Sequence, residues 1–344
     1  MIIKNARQLC DSIGETLAKQ FPRLLLRGDQ YSGCKPSQYG SIEYQGEDCL
    51  SIKTATAEAK GIPAGVGAFG VTGGAVLSAS VIFNGMDQWS AFSPLFIGIG
   101  LFVLIFVWEL YRPFPLPIIF NRRTQEIYYD LNGKLYHTPW EGIEAVAYEY
   151  RNVNQYAGSM TNANLDLILH RFADPEDRIV LNIGGHTSGK RVETLASLWE
   201  YLRAYMNEGP WFDEEGRHAP QKTQFIEEQL NKSGFTMRDQ LTHARQQLAK
   251  AKQNKGRVGA ARGALLSAYV FHPMWFTQDM TYRICRSRSH KQWPEVVRER
   301  LDPHGPTTRL IDIEGELAAR LKAEKDALIK AQNAALYPDQ TTDK

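Results

Sequence analysis

The sequence predicts an α+β membrane protein with a two-helix transmembrane hairpin, an antiparallel β domain closed by one helix, and a helical C-terminal region. Two long uncharged stretches, separated by Asp87 alone, predict the hairpin. Closely spaced runs rich in Ile, Tyr and Val, followed by a segment of helical period, predict the β domain. The expected regions are 1–60 (N-terminal, cytoplasmic), 61–111 (hairpin), 112–210 (β domain), 211–337 (helical) and 338–344 (disordered tail).

The hairpin consists of the stretches from Gly61 to Met86 and from Gln88 to Trp108, each long enough to cross a hydrocarbon core of about 30 Å. The second stretch has the bulk of a lipid-facing helix, whereas the first is rich in Gly, Ala and Ser and only moderately apolar. A buried glycine-rich core segment has a composition similar to that of the first stretch, and the sequence leaves this alternative open.

Small residues line one helical face of the first stretch. They are Gly67, Gly70, Gly74 and Ser78. Such a face lets a partner helix approach closely where lipid supplies no hydrophobic drive. The partner is either the second stretch or another protomer. The sequence therefore predicts contact with membrane lipids and, in the second case, a homo-oligomer formed through the hairpin.

Basic residues lie on the outer flanks of the hairpin. Lys53 and Lys60 precede it, Arg112, Arg122 and Arg123 follow it, and the connector between the two stretches contains no Lys or Arg. Positive charge is retained on the cytoplasmic side, and the connector is too short to hold a domain. Both termini are therefore predicted to be cytoplasmic.

The composition indicates no nucleic-acid partner, because the formal net charge is only +2 over 344 residues. The four cysteines form no CxxC pair, and the eight histidines show no ligand spacing. The GxSxG and HExxH motifs are also absent from the sequence. We therefore expect no metal, no cofactor and no enzymatic activity. A catalytic centre assembled from distant residues would carry no such motif.

The β domain is predicted from Pro113 to Pro210. Asn132-Gly133 is a strong signal for a two-residue hairpin turn, and Asp174-Pro175 is expected to join two strands. Val192 to Asn207 has a helical period with one apolar face. The expected strands are 117–120, 126–130, 134–137, 143–149, 165–171 and 178–183. Antiparallel strands followed by one capping helix resemble a pleckstrin-homology-like barrel, although such a fold does not by itself define a function.

Several motifs in this domain carry a further resemblance. They are the run from Pro117 to Thr124 (PIIFNRRT), Gly133, the run from Pro139 to Glu141 (PWE), and the run from Trp199 to Pro210 (WEYLRAYMNEGP). Residues 102–210 resemble a family of uncharacterised bacterial inner-membrane proteins with two spans followed by this domain. Genes of that family often lie near type VI secretion or Rhs-toxin loci, and the resemblance implies the same genomic context here. The family has no established active site whose residues could be assigned in this sequence.

Structural roles are the first expectation for the motif residues. Trp140 and Trp199 are expected to anchor the core. The arginines of the turn from Asn121 to Thr124 are expected either to retain the topology or to contact anionic lipid, at about 1 kcal/mol each. The residues for which contact with lipid headgroups is the functional alternative are Arg112, Arg122, Arg123, Lys190, Arg191, Arg283, Arg286 and Arg288.

The run from Gly184 to Arg191 matches the phosphate-binding GxxxxGK pattern up to its last position, where Arg191 replaces the Ser or Thr that binds Mg²⁺. No alternating βαβ pattern surrounds it. We therefore interpret the run as a glycine-rich connector between a strand and a helix. Contact of Lys190 and Arg191 with phosphate or a lipid headgroup is an interpretation intermediate between a nucleotide site and a plain connector.

The C-terminal third is predicted to be mostly helical and polar, with apolar positions repeating in 221–255 and 308–336. Ala264 to Phe276 carries no charge but is short, and Pro273 is expected to break it, so it is not predicted to span a membrane. Because basic residues follow, the segment is expected either to lie in the cytoplasmic interface or to pack against neighbouring helices.

These features predict an integral membrane protein, and the resemblance implies a protein of the bacterial inner membrane that acts in interbacterial antagonism. The first expectation is a membrane-targeting effector associated with type VI secretion, in which the hairpin oligomerises and forms a pore. The alternative is a membrane-anchored immunity or adaptor protein that binds a cognate toxin, immunity or chaperone protein through its cytoplasmic domain. An enzyme acting at the membrane surface ranks last, because the known catalytic motifs are missing.

Overall fold

The computed structural model describes residues 5–16, 22–84, 88–154, 158–185, 189–233, 237–253, 258–289, 291–315 and 319. The expected tail at 338–344, the connector residues 85–87 and the helical repeat beyond 319 lie outside this part of the chain. The chain forms two compact units, of which one contains Met1–Ile52, Pro117–Ile226 and Trp293–Lys344 and the other contains Lys53–Leu116 and Glu227–Gln292. The helices are α1 (Ala6–Thr16), α2 (Ala55–Glu58), α3 (Ile62–Phe83), α4 (Gln88–Tyr111), α5 (Val192–Asn207), α6 (Gln224–Ser233), α7 (Met237–Gln253), α8 (Val258–Ser287) and α9 (Glu295–Leu301).

The first unit is built on a curled sheet of nine strands in the described residues, and every strand pair is antiparallel. The strands are β1 (Arg23–Arg27), β2 (Ile42–Gln45), β3 (Cys49–Ile52), β4 (Ile118–Asn121), β5 (Glu126–Leu131), β6 (Lys134–Pro139), β7 (Glu144–Asn154), β8 (Gly158–Arg171) and β9 (Asp174–Asn182). Their order is β1-β7-β8-β6-β5-β4-β3-β2, and β9 pairs with β8. The prediction of an α+β chain with an antiparallel sheet is confirmed. Residues 1–60, treated from sequence as a region of their own, contribute β1, β2 and β3 to this sheet.

Two turns decide the register of neighbouring strands. Asn132 and Gly133 have positive φ angles of 54° and 84° between paired Leu131 and Lys134, so they form the expected tight hairpin turn. The prediction that Asp174-Pro175 joins two strands is wrong. The chain turns at Ala173, whose φ is 64°, and β9 already begins at Asp174. A proline is tolerated there because it occupies the start of a strand.

Helix α5 covers one face of the sheet, as its apolar period predicted. Trp199 is fully buried and packs against Trp140, with ring centroids 5.3 Å apart. Both indole groups have acceptors, because Trp199 Nε1 donates to Arg27 O at 3.1 Å and Trp140 Nε1 donates to Asn207 Oδ1 at 2.6 Å. The expectation that these tryptophans anchor the core is confirmed.

The opposite face of the sheet packs against α9, the helical residues 310–315 and α1. Val297 and Leu310 are fully buried against Tyr128 and the neighbouring strands. Further along the same face, Leu9 of α1 packs on Val146. Segments from the N-terminal and C-terminal parts of the chain therefore cover this face of the sheet. The face carries the buried polar groups described below.

Asp166 lies on this second face with only 5% of its surface exposed. Burial raises the pKa of its carboxyl to about 6, although the Tyr148 hydroxyl, donating to Oδ2 at 3.0 Å, favours ionisation. The pKa of this carboxyl is higher in the folded protein than its unfolded value of about 3.9, so protonation stabilises the fold. This stabilisation is lost as the pH rises from the unfolded pKa to the folded pKa.

We expect Asp166→Asn to raise the free energy of unfolding by up to about 3 kcal/mol near pH 7.5 and to change it little near pH 4. The amide oxygen still accepts from Tyr148, and the buried charge is removed. Denaturant unfolding at both pH values tests this, with Asp29→Asn as a control, because the Asp29 side chain is 64% exposed. A variant no more stable than the wild type near pH 7.5 would contradict the expectation.

The second unit is helical, and α3 and α4 form its hairpin. In the part of the chain that the structure describes, two helices are long and apolar enough to cross a membrane, over Ala55–Phe83 and Ala91–Tyr111. Helix α8 packs on α3, and α7 packs on α8. The prediction that Pro273 breaks the uncharged segment 264–276 is wrong, because α8 continues from Val258 to Ser287 through that residue. A proline removes one backbone hydrogen bond and can kink a helix without ending it.

Candidate functional site

The sheet places a cluster of ionisable side chains on its second face. His137 on β6 lies opposite Tyr128 on β5 and opposite His170 on β8. Glu126 shares the face of Tyr128, because successive strand residues alternate between faces. The strand pairing therefore brings two histidines and one glutamate together, with the His137 and His170 ring centroids 4.4 Å apart.

A second glutamate reaches this cluster from the helical residues 310–315. Glu314 Oε2 lies 2.9 Å from His170 Nε2 and 3.3 Å from His137 Nε2. Its other oxygen, Oε1, accepts a hydrogen bond from the Ala173 backbone N–H at 2.9 Å. The carboxylate is thus held between the turn after β8 and the two imidazole rings.

Glu126 joins the sheet to the same C-terminal segment. Its carboxylate accepts from the backbone N–H groups of Leu310 at 2.9 Å and Ile311 at 3.1 Å, and from the Tyr128 hydroxyl at 2.9 Å. The two amides belong to the first turn of the helical residues 310–315, where N–H groups lack partners inside the helix and a negative charge is favourable. Glu126 is therefore a buried cap for this segment.

His137 is the least satisfied member of the cluster. Its side chain is fully buried, with Nδ1 3.5 Å from Glu126 Oε1 and Nε2 3.3 Å from Glu314 Oε2. Despite these distances, neither ring nitrogen has a hydrogen-bond partner in suitable geometry in the described part of the chain. The two carboxylates flank the ring closely enough for electrostatic attraction.

The charges of the cluster follow from this geometry. Burial lowers the pKa of His137, but the flanking carboxylates outweigh burial and raise it. Burial and the neighbouring His137 lower the pKa of His170. Burial raises the pKa of Glu126 and Glu314, but hydrogen bonding outweighs it and lowers both. The arrangement therefore favours ionised carboxylates beside the imidazoles.

A groove of about 520 Å³ opens beside the cluster. His170 and Glu314 contribute to its wall, together with apolar side chains such as Ile143 and Ile168. The His170 side chain is 15% exposed, whereas that of His137 is 0% exposed. The cluster thus has one side toward the groove and one side inside the core.

A different ionic arrangement closes the base of the α3–α4 hairpin. Glu109 is fully buried, and its Oε2 accepts from the Gly61 N–H at the start of α3, at 2.6 Å. The Lys60 ammonium donates to the carbonyl oxygens of Glu109 and Arg112 at the end of α4, both at 2.9 Å. An acid at a helix start and a base at a helix end both complement the helix dipole.

The small residues predicted to line one face of α3 have different surroundings. A Cβ added at Gly74 would lie 2.7 Å from Pro94 O, and one at Gly67 would lie 3.3 Å from Phe102 Cα, so both glycines pack against α4. Ser78 is buried. A Cβ added at Gly70 would meet no atom of the described residues within 4 Å. The partner of the packed part of this face is therefore the second helix of the same chain.

Most of the basic residues predicted to contact lipid have protein neighbours. Arg122 Nε donates to Glu47 O at 3.0 Å, and Arg123 donates to Asp302 O and to Gly305 O. Arg112 lies over the Trp108 ring at 4.8 Å. The remaining residues are exposed or half-buried: Lys190 and Arg191 before α5, and Arg283, Arg286 and Arg288 at the end of α8, where Arg283 pairs with Asp279 at 2.9 Å.

The glycine-rich run before α5 has the geometry of a connector. The first N–H of the helix, on Val192, donates to Glu149 Oε1 at 2.9 Å, so a carboxylate occupies the position where a phosphate would bind. Lys190 Nζ donates to Gly184 O. The sheet has no parallel pair among the described strands, and residues 186–188 lie outside the described part of the chain.

Sequence reasoning missed the histidine cluster, because it searched for ligands at short spacing. His137 and His170 meet only through the pairing of β6 with β8, and Glu314 is 144 residues from His170. The one available signal was that both histidines fall in predicted strands. That signal contains no information on which strands pair.

Comparison with known proteins gives one match. A family described as a family of unknown function, DUF6708, matches residues 95–301, which is more than half of the chain. The chain belongs to this family. The matched DUF6708 region runs from within α4 to the end of α9, so it includes residues of both units. No curated protein and no solved structure matches the chain.

Proposed function

We propose that this protein is an integral protein of the bacterial inner membrane and a pore-forming effector of interbacterial antagonism associated with type VI secretion. In this proposal α3 and α4 cross the membrane, both termini are cytoplasmic, and the sheet with α5 is a pleckstrin-homology-like domain. The resemblance of residues 102–210 to a bacterial inner-membrane family supports the cellular setting. The proposed action is on the membrane itself and not on a chemical substrate.

Exposed apolar side chains support a membrane location. In the most apolar windows of the two candidate spans, only 17% and 6% of the residues are buried. The core helix of a soluble protein is mostly buried instead. Phe83 of α3 is 90% exposed and Leu104 of α4 is 68% exposed. Surfaces of this kind are favourable in lipid and unfavourable in water.

The observation that carries the proposal of a pore is the position of the polar helix α7. Gly65 of α3 lies against Met274 of α8, and Phe69 stacks on Phe271 with ring centroids 5.4 Å apart, so the two helices are antiparallel. Arg245 of α7 donates to the Tyr269 hydroxyl of α8 at 2.8 Å.

Phe69 lies about 12 Å along α3 from Gly61 at 1.5 Å per residue. Helix α7 therefore contacts α8 beside the part of α3 that lies inside the proposed hydrocarbon layer. A charged helix at that depth requires water or another polar partner. A water-filled path lined by such a helix is the property expected of a pore-forming effector.

A membrane-anchored immunity or adaptor protein is the second candidate. This candidate is favoured because Gly67 and Gly74 pack against α4 of the same chain. That part of the small-residue face is therefore not available for oligomerisation. In this alternative the hairpin is an anchor. The groove beside His170 would then receive part of a cognate toxin, immunity or chaperone protein.

Expression of the full chain in a bacterial host without its neighbouring genes tests the proposal. We expect growth arrest together with loss of membrane potential, measured with a potential-sensitive dye. Normal growth and potential would contradict the effector proposal. Protection of the host when a toxin from the neighbouring genes is co-expressed would support the second candidate.

Reporter fusions test the topology separately. Fusions at Lys53 and Gly216 are expected to have cytoplasmic activity, and a fusion at Asp87 is expected to have periplasmic activity, because positive charge flanks only the outer ends of the hairpin. A periplasmic reporter at Lys53 or Gly216, or a cytoplasmic one at Asp87, would overturn the predicted orientation.

A further inference from the structure

The side chains of His137, His170 and Glu314 offer a set of donor atoms suited to a metal ion. One ligand atom from each residue lies within 4.8 Å of the other two. In the described part of the chain, this is the one group of three His, Cys, Asp or Glu residues with such spacing. Two imidazoles and one carboxylate form a donor set that Zn²⁺ uses in sites with three protein ligands.

Two of the three distances between ligand atoms are close to those of a tetrahedral site. With metal–ligand bonds of about 2.0–2.1 Å, two ligands of a tetrahedron lie about 3.3 Å apart. His137 Nε2 and Glu314 Oε2 are 3.3 Å apart. His170 Nε2 and Glu314 Oε2 are 2.9 Å apart, which is a hydrogen-bond distance. A small rotation of the His170 ring, whose side chain is partly exposed, would exchange this bond for a shared metal ion.

His137 supplies an independent observation. Its side chain is fully buried, yet both ring nitrogens lack a hydrogen-bond partner among the residues that the structure describes. A buried polar group without a partner costs about 1–3 kcal/mol. The bonds of Glu314 to His170 and Ala173 explain the position of that glutamate without any ion, but they supply no hydrogen bond to His137.

Glu126 completes the pattern seen around metal-binding histidines. Its Oε1 lies 3.5 Å from His137 Nδ1, on the side of the ring opposite Glu314. Histidines that bind a metal through one nitrogen usually direct the other toward a carboxylate or carbonyl, which orients the ring. We propose that His137, His170 and Glu314 bind a divalent transition-metal ion, best matched by Zn²⁺, with Glu126 as the positioning residue for His137.

Three protein ligands leave a fourth position for water. Because His170 and Glu314 border the groove, we place this position on the groove side of the cluster. The site is reached from the groove side, so an ion can enter without unfolding of the sheet. This proposal concerns the sheet unit and does not rest on the proposed action at the membrane.

Metal binding by the full-length protein in detergent tests the proposal. The protein is stripped with a chelator, kept reduced so that the four cysteines stay as thiols, and titrated with ZnCl₂. We expect one Zn²⁺ per chain by elemental analysis after dialysis. Glu314→Gln and His170→Gln are expected to weaken binding by at least about tenfold, since each removes a ligand. His218→Gln is the matched control, because His218 is exposed and its Nδ1 lies 2.7 Å from Glu208 O.

Glu126→Gln separates a metal site from a purely structural cluster. Loss of an outer-shell carboxylate is expected to lower Zn²⁺ affinity by about tenfold to a hundredfold without removing the ion's ligands. Co²⁺ bound in place of Zn²⁺ should give the intense visible bands of a four-coordinate site, and Glu314→Gln should abolish them. Failure of the folded wild type to bind Zn²⁺, or equal affinity in the wild type, Glu314→Gln and His170→Gln, would overturn the proposal.

Discussion

Gly74→Leu is expected to separate α3 from α4 and to abolish the action of the protein on the membrane, whereas Gly70→Leu leaves the hairpin intact. A Cβ at Gly74 would lie 2.7 Å from the backbone oxygen of Pro94, so the helices must move apart even before the rest of the leucine is placed. At Gly70 the same atom would meet nothing within 4 Å among the residues that the structure describes. Both substitutions add the same apolar side chain to the same helix, so hydrophobicity does not distinguish them.

Three measurements follow from this pair. Alkaline extraction of membranes should retain both variants, because leucine does not weaken insertion. The thermal aggregation midpoint in detergent should fall for Gly74→Leu and not for Gly70→Leu. Growth arrest should disappear only for Gly74→Leu. Equal effects of leucine at both positions, or along all faces of residues 66–80, would show that span hydrophobicity and not helix packing controls the behaviour.

Glu126→Ala is expected to produce the largest loss of stability in the sheet unit. It removes the shared acceptor of Leu310 N–H, Ile311 N–H and the Tyr128 hydroxyl. The buried Leu310 N–H and the partly buried Ile311 N–H lose that acceptor, whereas the Tyr128 hydroxyl keeps its contact with Thr124 Oγ1 at 2.7 Å. Each such group costs about 1–3 kcal/mol, and breaking a buried charged network costs about 3–5 kcal/mol. We expect a loss of about that size in the free energy of unfolding.

Hydrogen exchange locates the effect. The amide protons of Leu310 and Ile311 should lose protection in Glu126→Ala, while those of the β7–β8 pair change much less. Glu126→Gln is the control, since it keeps an acceptor oxygen and removes the charge, and its loss of stability should be smaller. Undiminished protection at Leu310 and Ile311 would show that the carboxylate does not hold the C-terminal segment on the sheet.

Local patterns predicted the secondary structure well. The period of apolar residues placed a helix at Val192 to Asn207, and α5 has those bounds. Asn132-Gly133 predicted a turn, because both positions require positive φ angles that Asn and Gly adopt most easily. The uncharged stretches predicted the two long apolar helices. In each case the property that decides the structure belongs to neighbouring residues.

Predictions that depended on distant neighbours were less successful. Pro273 was expected to break the uncharged segment 264–276, but α8, which packs on α3 and α7, continues through that residue. Gly70 was grouped with Gly74 on one face, yet only Gly74 has no room for a Cβ. Helical spacing gives the approximate direction of a residue, whereas contact also depends on the crossing of the partner helix.

The sequence by itself determined that this chain has two apolar helices, an antiparallel sheet and a capping helix, because the periods of 3.6 and 2.0 residues are local properties. The tertiary structure alone decided that β1, β2 and β3 join the sheet and that His137, His170 and Glu314 meet. It also decided that Glu109 and Lys60 close the hairpin base. These contacts join segments far apart in the chain, and their free energy comes from burial and pairing that exist only after the elements have packed.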